Sequence, residues 1–130
     1  MEAARQSVYN PTRSIKRMTI AVAKERSKLK YLYLTTVGRV SGQPREIEIW
    51  FVESDGKLYV LAEQFRGAQW VKNIERNARV RVRVGDEQFE ATARVLDPER
   101  DRLRWHTAQR LSNEKYGWGE GLPVEIVREA

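Results

Sequence analysis

The feature that most restricts the fold of this chain is a strictly alternating run of charged and apolar residues, Arg79-Val-Arg-Val-Arg-Val84. A period of two places all the valines on one side of an extended strand and all the arginines on the other. Gly85 and Asp86 follow as turn residues, and Gln88 to Leu96 is again rich in β-formers. The segment 79–96 is therefore predicted to form an antiparallel hairpin.

Four more strands and three helices are predicted around this hairpin from hydrophobic periodicity and turn residues. The strands are Tyr31–Val37, Arg45–Val52, Lys57–Ala62 (after the turn Ser54-Asp-Gly56) and Leu122–Arg128. The helices are a basic amphipathic segment from Pro11 to Lys30, a short helix from Ala68 to Asn77, and a helix from Asp97 to about Leu111. Asp97 is a plausible N-cap for the third helix, with Pro98 at its first position.

Six short strands, mostly in hairpins, favour antiparallel pairing and a mainly β (α+β) fold, a small barrel with flanking helices. A parallel doubly wound sheet is disfavoured because too few strands are followed by a helix. The 130 residues correspond to one domain, since no repeat, low-complexity tract or linker divides them. Residues 1–30 are predicted to be an N-terminal helical segment, and residues 31–128 the barrel.

The composition excludes several classes of chemistry. The chain has no Cys and one His, which removes disulfides, thiol nucleophiles, iron–sulfur clusters and multi-His metal sites, so no metal site is predicted. The net charge of +6 indicates an anionic ligand or partner. The N-terminus lacks the apolar run of a secretory signal, and no stretch approaches the ~20 apolar residues of a spanning helix. A cytoplasmic protein without stable membrane insertion is expected.

The loop Gly38-Arg-Val-Ser-Gly-Gln-Pro-Arg45 is the most informative segment. Its glycines let backbone N–H groups approach an anion, and Ser41 adds a hydroxyl donor. Arg39 and Arg45 supply planar guanidinium groups suited to phosphate or carboxylate. An anion site and an ordinary basic hairpin loop are both consistent with this pattern.

Other charged residues permit two interpretations. The arginine stripe of the hairpin is either a nucleic-acid-binding strip or a solvent-facing surface that opposes aggregation. Glu46, Glu48 and Glu53 lie on one strand, with Glu46 and Glu48 on the same face. They are predicted to pair with the many arginines rather than to form an acid pair or a metal site, since a metal site normally takes its ligands from several elements. His106 is interpreted as a surface residue, because the chain contains no Gly-x-Ser-x-Gly nucleophile motif.

Two groups of aromatic residues also permit two interpretations each. Trp50 and Trp70 could wall a planar ligand or simply pack in the core. Tyr116 and Trp118, within a Gly-rich segment, indicate either a mobile lid or a loop packed by its own aromatic side chains.

The run Leu34-Thr-Thr-Val-Gly-Arg-Val-Ser-Gly-Gln-Pro-Arg45 resembles the Leu-Thr-Thr-x-Gly-Arg-x-Ser-Gly-x-Pro-Arg motif of the deazaflavin-dependent nitroreductase family. The resemblance extends from Tyr31 to Arg128, through Ile49–Val52 and Trp70–Val80. Members of that family use coenzyme F-420 and have the FMN-binding split β-barrel fold. The resemblance thus implies a six-stranded antiparallel split barrel.

The resemblance also implies roles for individual residues. Arg39, Ser41, Gly42 and Arg45, with Gln43 and Pro44 in the same motif, would hold the phosphate and acidic tail of the cofactor. Ile47, Glu48 and Trp50 would lie along its ring system, and Trp70 would close one side. Leu61, Ala62, Glu63 and Gln64 would offer backbone groups to the ring edge. Tyr116 and Trp50 are the candidates on the substrate side. Val40, Glu48 and Glu63 depart from the family pattern.

By this resemblance the chain is expected to be an oxidoreductase that transfers a hydride from reduced coenzyme F-420, or alternatively from FMN, to a small organic acceptor. Two other functions remain open: a non-catalytic carrier of a flavin or deazaflavin, and a nucleic-acid-binding barrel. A small-molecule acceptor and a homodimer are the expected partners; nucleic acid is not.

Overall fold

The computed structural model describes residues 26–129. This part of the chain is mainly β, with seven strands, two α-helices and a short 3-10 turn at Phe65–Gly67. The strands are β1 (Tyr31–Val37), β2 (Pro44–Trp50), β3 (Val52–Ser54), β4 (Lys57–Ala62), β5 (Arg79–Val84), β6 (Glu87–Val95) and β7 (Leu122–Arg128). The helices are α1 (Gln69–Arg76) and α2 (Arg102–Tyr116). Among the described residues, no helix is long and apolar enough to cross a membrane.

The strands form one antiparallel sheet in the order β2-β1-β5-β6-β7-β4-β3. The alternation in the sequence determines its faces: Leu34 of β1 lies opposite Ile47 of β2 and Val82 of β5. The valines of β5 are all buried and its arginines all exposed, as the alternating run predicts. The predicted hairpin 79–96 is confirmed.

The structure has seven strands, and not the predicted six, because the segment from Arg45 to Val52 that was expected to be one strand divides at Phe51. Its two parts, β2 and β3, are at opposite edges of the sheet. Since Phe51 alone separates Trp50 from Val52, the two edges must meet there, and the sheet has to curl into a half-barrel. Phe51 itself is 1% exposed and belongs to the core inside the curl.

The principal core lies inside the curled sheet and is built from the inward-facing apolar residues of its strands. A second cluster covers the outer face of β3 and β4, where α2 packs through Ala108 and Trp105. This second layer explains why β4 and β7 are buried on both faces, while β5 and β6 alternate.

The helices differ from prediction at their ends. The helix expected from Asp97 begins at Arg102 and continues to Tyr116, because Asp97 caps a preceding turn instead: its carboxylate accepts the N–H groups of Glu99 and Arg100, each at 2.8 Å. The predicted helix from Pro11 to Lys30 lies mostly outside the described residues. Of the predicted segment, the structure describes residues 26–30, and among these only Arg26 is helical. The predicted helix therefore ends before Lys30.

Candidate functional site

A cleft of about 640 Å³ lies where the two edges of the curled sheet diverge from Phe51. One side is the free edge of β2, and the other is the end of β4 beyond Tyr59, where β3 no longer pairs. The loop after β4 and the start of α1 complete it. The lining residues are Tyr31, Glu48, Ile49, Trp50, Leu61, Glu63, Gln64, Ala68, Gln69, Trp70 and Trp118.

The free end of β4 presents backbone groups to this cleft. Asp55 and Gly56 have φ of 52° and 77° and form the two-residue turn of the β3–β4 hairpin. In such a turn the N–H of Lys57 points toward β3, and by alternation so do the backbone groups of Tyr59 and Leu61. Since β3 ends opposite Tyr59, the N–H and C=O of Leu61 face the cleft and can bind a ligand edge.

Four aromatic side chains wall the cleft, namely Tyr31, Trp50, Trp70 and Trp118. Broad apolar faces of this kind are complementary to a planar ligand. The ring of Trp50 is stacked on that of Tyr116, with centroids 4.4 Å apart and planes 2° from parallel. One face of the Trp50 indole is therefore fixed by the end of α2.

The end of α2 is also attached to the bend at Phe51. The Tyr116 hydroxyl accepts a hydrogen bond from the Phe51 N–H (3.0 Å) and lies 2.7 Å and 2.8 Å from the carbonyl oxygens of Phe51 and Lys30, to which it can donate. Lys115 Nζ donates to the same Phe51 carbonyl at 2.9 Å. Burial raises the pKa of Tyr116 to about 12 and lowers the pKa of Lys115 to about 8.

The Gly-rich loop between β1 and β2 borders a separate groove of about 410 Å³. Backbone bonds from Gly38 N–H to the Gln43 carbonyl and from Gly42 N–H to the Gly38 carbonyl, both 2.8 Å, close the loop. Gly42 has φ of +71°, a conformation that favours glycine. At Gly38 a Cβ would lie 2.7 Å from the Ser41 hydroxyl oxygen and 3.1 Å from the Gln43 carbonyl oxygen, so a larger residue would displace the Ser41 side chain.

Arg39 connects this loop to the cleft. Its Nη2 donates to the side-chain oxygen of Gln69 at 2.6 Å, and Gln69 lines the cleft. Its Nη1 and its backbone N–H both donate to the side-chain oxygen of Asn73, at 2.9 Å and 3.1 Å. On the other side of the loop, Arg45 Nη2 donates to the Ser41 hydroxyl at 3.3 Å. Within residues 26–129, neither arginine is in an ion pair.

The predicted cofactor residues fall into three groups in the structure. Six of them line the cleft: Glu48, Trp50, Leu61, Glu63, Gln64 and Trp70. Six more form the basic loop and the start of β2: Arg39, Ser41, Gly42, Gln43, Pro44 and Arg45. The remaining two, Ile47 and Ala62, pack against apolar clusters and do not line the cleft. Tyr116 does not line it either, since it lies against Trp50.

Sequence reasoning did not assign Tyr31, Ile49, Ala68 or Gln69 to the cleft, and it treated Trp118 as part of a lid or loop. Ile49 follows Glu48, and Ala68 and Gln69 directly precede Trp70. Their positions next to residues predicted to bind the cofactor were the only indication in the sequence that they line the cleft. Tyr31 gave none, because its position depends on the pairing of β1 with β2 opposite Trp50.

The charged residues of the cleft lining are both acidic, Glu48 and Glu63. Glu48 accepts a hydrogen bond from the Tyr33 hydroxyl at 2.6 Å. The expected arginine partners are found for Glu46, which lies 3.4 Å from Arg83, and for Glu53, which pairs with Arg26. The cleft is therefore aromatic and acidic, whereas the adjoining loop is basic.

The arginine stripe of β5 is exposed but is paired with carboxylates. Arg79 and Arg81 pair with Glu90, Arg79 also with Glu129, and Arg83 with Glu46. Pairing with carboxylates removes much of the positive potential that a phosphate backbone would require. In residues 26–129, no group of three or more His, Cys, Asp or Glu side chains is arranged to hold a metal ion.

The curled antiparallel sheet has an aromatic cleft at its open edge, beside a loop whose two arginines are in no ion pair within residues 26–129. This arrangement is suited to a planar ligand with an anionic extension. Residues 9–128 match the model of the F420H(2)-dependent quinone reductase family, whose reductant is the reduced form of coenzyme F-420. The chain belongs to this family.

Solved structures agree with this assignment. An F420-H2 dependent reductase (FDR-A) is 28% identical, with a TM-score of 0.58, covering 75% of this chain and 93% of that protein. A protein described as a domain-swapped dimer is 26% identical over 92% of this chain and 100% of its own, with a TM-score of 0.58. The heme storage protein HutZ from Vibrio cholerae, 21% identical with a TM-score of 0.67 over 85% of this chain and 89% of its own, shares the fold.

The protein is thus an oxidoreductase that uses coenzyme F-420, which decides between the cofactors and the functional classes that the sequence left open. The donor set fits this cofactor. The phosphate and acidic tail require cations that are not already neutralised, which Arg39 and Arg45 provide, and the flat ring requires apolar walls, which the four aromatic residues provide.

Proposed function

We propose that this protein reduces a quinone-type small molecule with reduced coenzyme F-420, and that the cleft between β2 and β4 is where the two meet. The observation that carries this proposal is the direct connection of two complementary surfaces. Arg39 of the basic loop is bonded to Gln69, a residue of the aromatic cleft. A ligand with a flat ring and an anionic tail can therefore span both surfaces.

The tail of the cofactor is assigned to the loop between β1 and β2. Arg39 and Arg45 are its cationic contacts, with the Ser41 hydroxyl between them, and Gly42, Gln43 and Pro44 shape the turn. Support comes from the backbone closure at Gly38 and Gly42, which holds a loop whose Arg39 lines the adjoining groove and whose exposed Arg45 is bonded to Ser41. A preorganised cationic loop binds an anion with little loss of conformational entropy.

The ring of the cofactor is assigned to the cleft. Trp50 and Trp70 supply flat apolar contact, and Glu48 and Gln64 lie at its margin. The N–H and C=O of Leu61 lie beyond the last residue of β4 that pairs with β3 and are suited to the polar edge of a deazaflavin ring, as an unpaired strand edge binds a ligand with backbone groups. Ile47 and Ala62 support the walls from behind.

When bound, the reduced cofactor would supply a hydride and release one ring proton, which together provide the two electrons and two protons that convert a quinone to a quinol. The residues of this chain bind and orient the reactants and exclude water from the cleft. No His or Cys is required for such a reaction. This is consistent with a chain that has a single His, which is exposed on α2 and does not line the cleft.

We further propose that the half-barrel is a split barrel of the FMN-binding type and that two copies of the chain associate. Among residues 26–129, β2 is an edge strand of seven residues beside the cleft, and edges of this length are commonly covered in folded proteins. The similar protein described as a domain-swapped dimer supports association. Light scattering on the purified protein tests it, and a monomer at micromolar concentration would refute it.

The proposed function is tested by titrating tryptophan fluorescence with coenzyme F-420 and FMN and by following oxidation of the reduced cofactor with 1,4-naphthoquinone. Arg45→Ala is expected to weaken cofactor binding by about tenfold, since one charge-assisted contact is lost. Arg100→Ala removes an equal charge from an exposed turn outside the loop and is the matched control.

Equal cofactor binding by wild type and Arg45→Ala would refute the loop assignment. If 1,4-naphthoquinone fails to oxidise the reduced cofactor while a nitroaromatic acceptor succeeds, the quinone part of the proposal is wrong and the assignment of the cofactor site is unaffected.

A further inference from the structure

The guanidinium of Arg39 is held in place by α1, and its side-chain partners are both amides. Gln69 and Asn73 are four residues apart, so their side chains project from the same side of the helix. The oxygen of Gln69 accepts from Nη2 and that of Asn73 from Nη1, at 2.6 Å and 2.9 Å. The orientation of the planar group is thereby determined by two neutral acceptors.

Neutral partners distinguish Arg39 from most arginines of the described chain. Eight others form ion pairs with carboxylates: Arg26, Arg66, Arg79, Arg81, Arg83, Arg94, Arg104 and Arg110. An arginine bonded to amide oxygens keeps its full positive charge for a further anion. One bonded to a carboxylate has much of that charge neutralised.

Asn73 is well suited to hold this arrangement rigidly. Its side chain is 5% exposed and all of its polar atoms are bonded. The oxygen accepts from both the backbone N–H and the Nη1 of Arg39, and the nitrogen donates to the hydroxyl of Thr36 at 3.0 Å. Thr36 is in β1 and is 1% exposed. Asn73 therefore ties the start of the basic loop and the guanidinium to both the helix and the sheet.

We infer that Asn73 and Gln69 are positioning residues that fix the Arg39 guanidinium without neutralising it, so that it can bind the anionic tail of the cofactor. This inference rests on the proposed function, because it assumes that the tail binds at this loop. Asp and Glu have the same shape as these amides and would give Arg39 an ion pair. The amides thus give up a stronger internal contact and leave the positive charge for the ligand.

The test replaces each amide by the carboxylate of the same shape. Asn73→Asp and Gln69→Glu keep an acceptor oxygen for Arg39, and the Thr36 hydroxyl can reverse and donate to Asp. Calorimetric titration with oxidised coenzyme F-420 is expected to give at least about tenfold weaker binding for each variant, with a thermal midpoint no lower than that of wild type. Gln88→Glu, on the exposed face of β6, adds the same charge away from the loop and is the control.

A double-mutant cycle shows whether Asn73 acts through Arg39. In an Arg39→Met background, Asn73→Asp is expected to weaken cofactor binding at least about threefold less than it does in wild type, because only the repulsion between the new carboxylate and the tail then remains. An equally large loss in that background would mean that the effect does not depend on Arg39, and would overturn the inference.

The remaining outcomes separate the two proposals. Full binding by Asn73→Asp and Gln69→Glu, with weakened binding by Arg39→Met, would refute the positioning role and leave the loop as the tail site. Unchanged binding by Arg39→Met and Arg45→Ala alike would refute the proposed function at this loop. Weaker binding together with a large fall in the thermal midpoint would indicate a merely structural role for Asn73.

Discussion

Lys115 is an unusual residue for a buried helix end, since it is a cation whose environment disfavours its charge. Its Nζ lies 3.9 Å from the centre of the Phe51 ring and donates to the Phe51 carbonyl. Burial lowers its pKa to about 8, and Glu53 opposes this only in part. The cation is retained at neutral pH by its contacts with Phe51 and Tyr116, whose ring centre is 5.0 Å away.

This environment predicts how stability depends on pH. Between about pH 8 and the ordinary lysine pKa of 10.5, the unfolded chain binds a proton at Lys115 that the folded chain has lost. Stability contributed by this residue therefore rises with pH in that window. Urea midpoints measured from pH 7 to 9.5 are expected to increase more for wild type than for Lys115→Met. Parallel profiles of the two proteins would show that the Lys115 pKa is not lowered.

For individual residues, the sequence indicates which ones lie near the candidate site better than it indicates what each of them does there. The family resemblance placed the loop motif, Trp50 and Trp70 in one region, and the structure connects the loop to the cleft that both tryptophans line through the bond from Arg39 to Gln69. Tyr116 was expected to face the substrate, whereas its ring stacks on Trp50 and its hydroxyl is bonded to the backbone. Such a role depends on two segments 65 residues apart, which no local pattern reveals.

Among the elements, the bend at Phe51 has the largest consequence. Ile49-Trp-Phe-Val52 is a continuous apolar run without Gly or Pro, so the sequence indicates an unbroken strand. The structure breaks it because Phe51 enters the core while β2 and β3 pair with different neighbours. The alternation that correctly predicts β5 and β6 cannot reveal a break whose cause is closure of the sheet.

The attachment of α2 to this bend predicts the effect of removing one hydroxyl. Tyr116→Phe leaves the stacking ring in place but deprives the Phe51 N–H of its acceptor. A loss of about 1–3 kcal/mol in the free energy of unfolding is expected, as for other buried groups left without a partner. Urea denaturation measures this loss, and cofactor affinity should change little, because the Phe ring still stacks on Trp50.

Tyr33→Phe is the matched control, since its hydroxyl bonds an exposed Glu48 and contributes little to stability. Equal destabilisation by Tyr116→Phe and Tyr33→Phe would mean that the bend does not depend on α2.

Considered as a whole, the molecule separates its charges along one continuous surface. Within residues 26–129 the two arginines of the loop are in no ion pair, while the adjoining cleft carries two glutamates and no cation among its lining residues. Composition alone predicted an anionic ligand, which the basic loop fits. It could not predict an acidic cleft, since that depends on where the chain brings Glu48 and Glu63 together.

This separation predicts which acceptors the enzyme prefers. An acceptor entering the cleft meets the field of two carboxylates, so a quinone with a cationic substituent should have a higher kcat/KM than the same quinone with a carboxylate. Glu48→Gln combined with Glu63→Gln is expected to reduce this preference by about three- to tenfold at low salt. In wild type, 0.15 M salt should reduce it too, because the screening length is then about 8 Å. Glu99→Gln, in the exposed turn before α2, controls for net charge. If the preference persists in the double variant at low salt, the shape of the cleft, and not its charge, selects the acceptor.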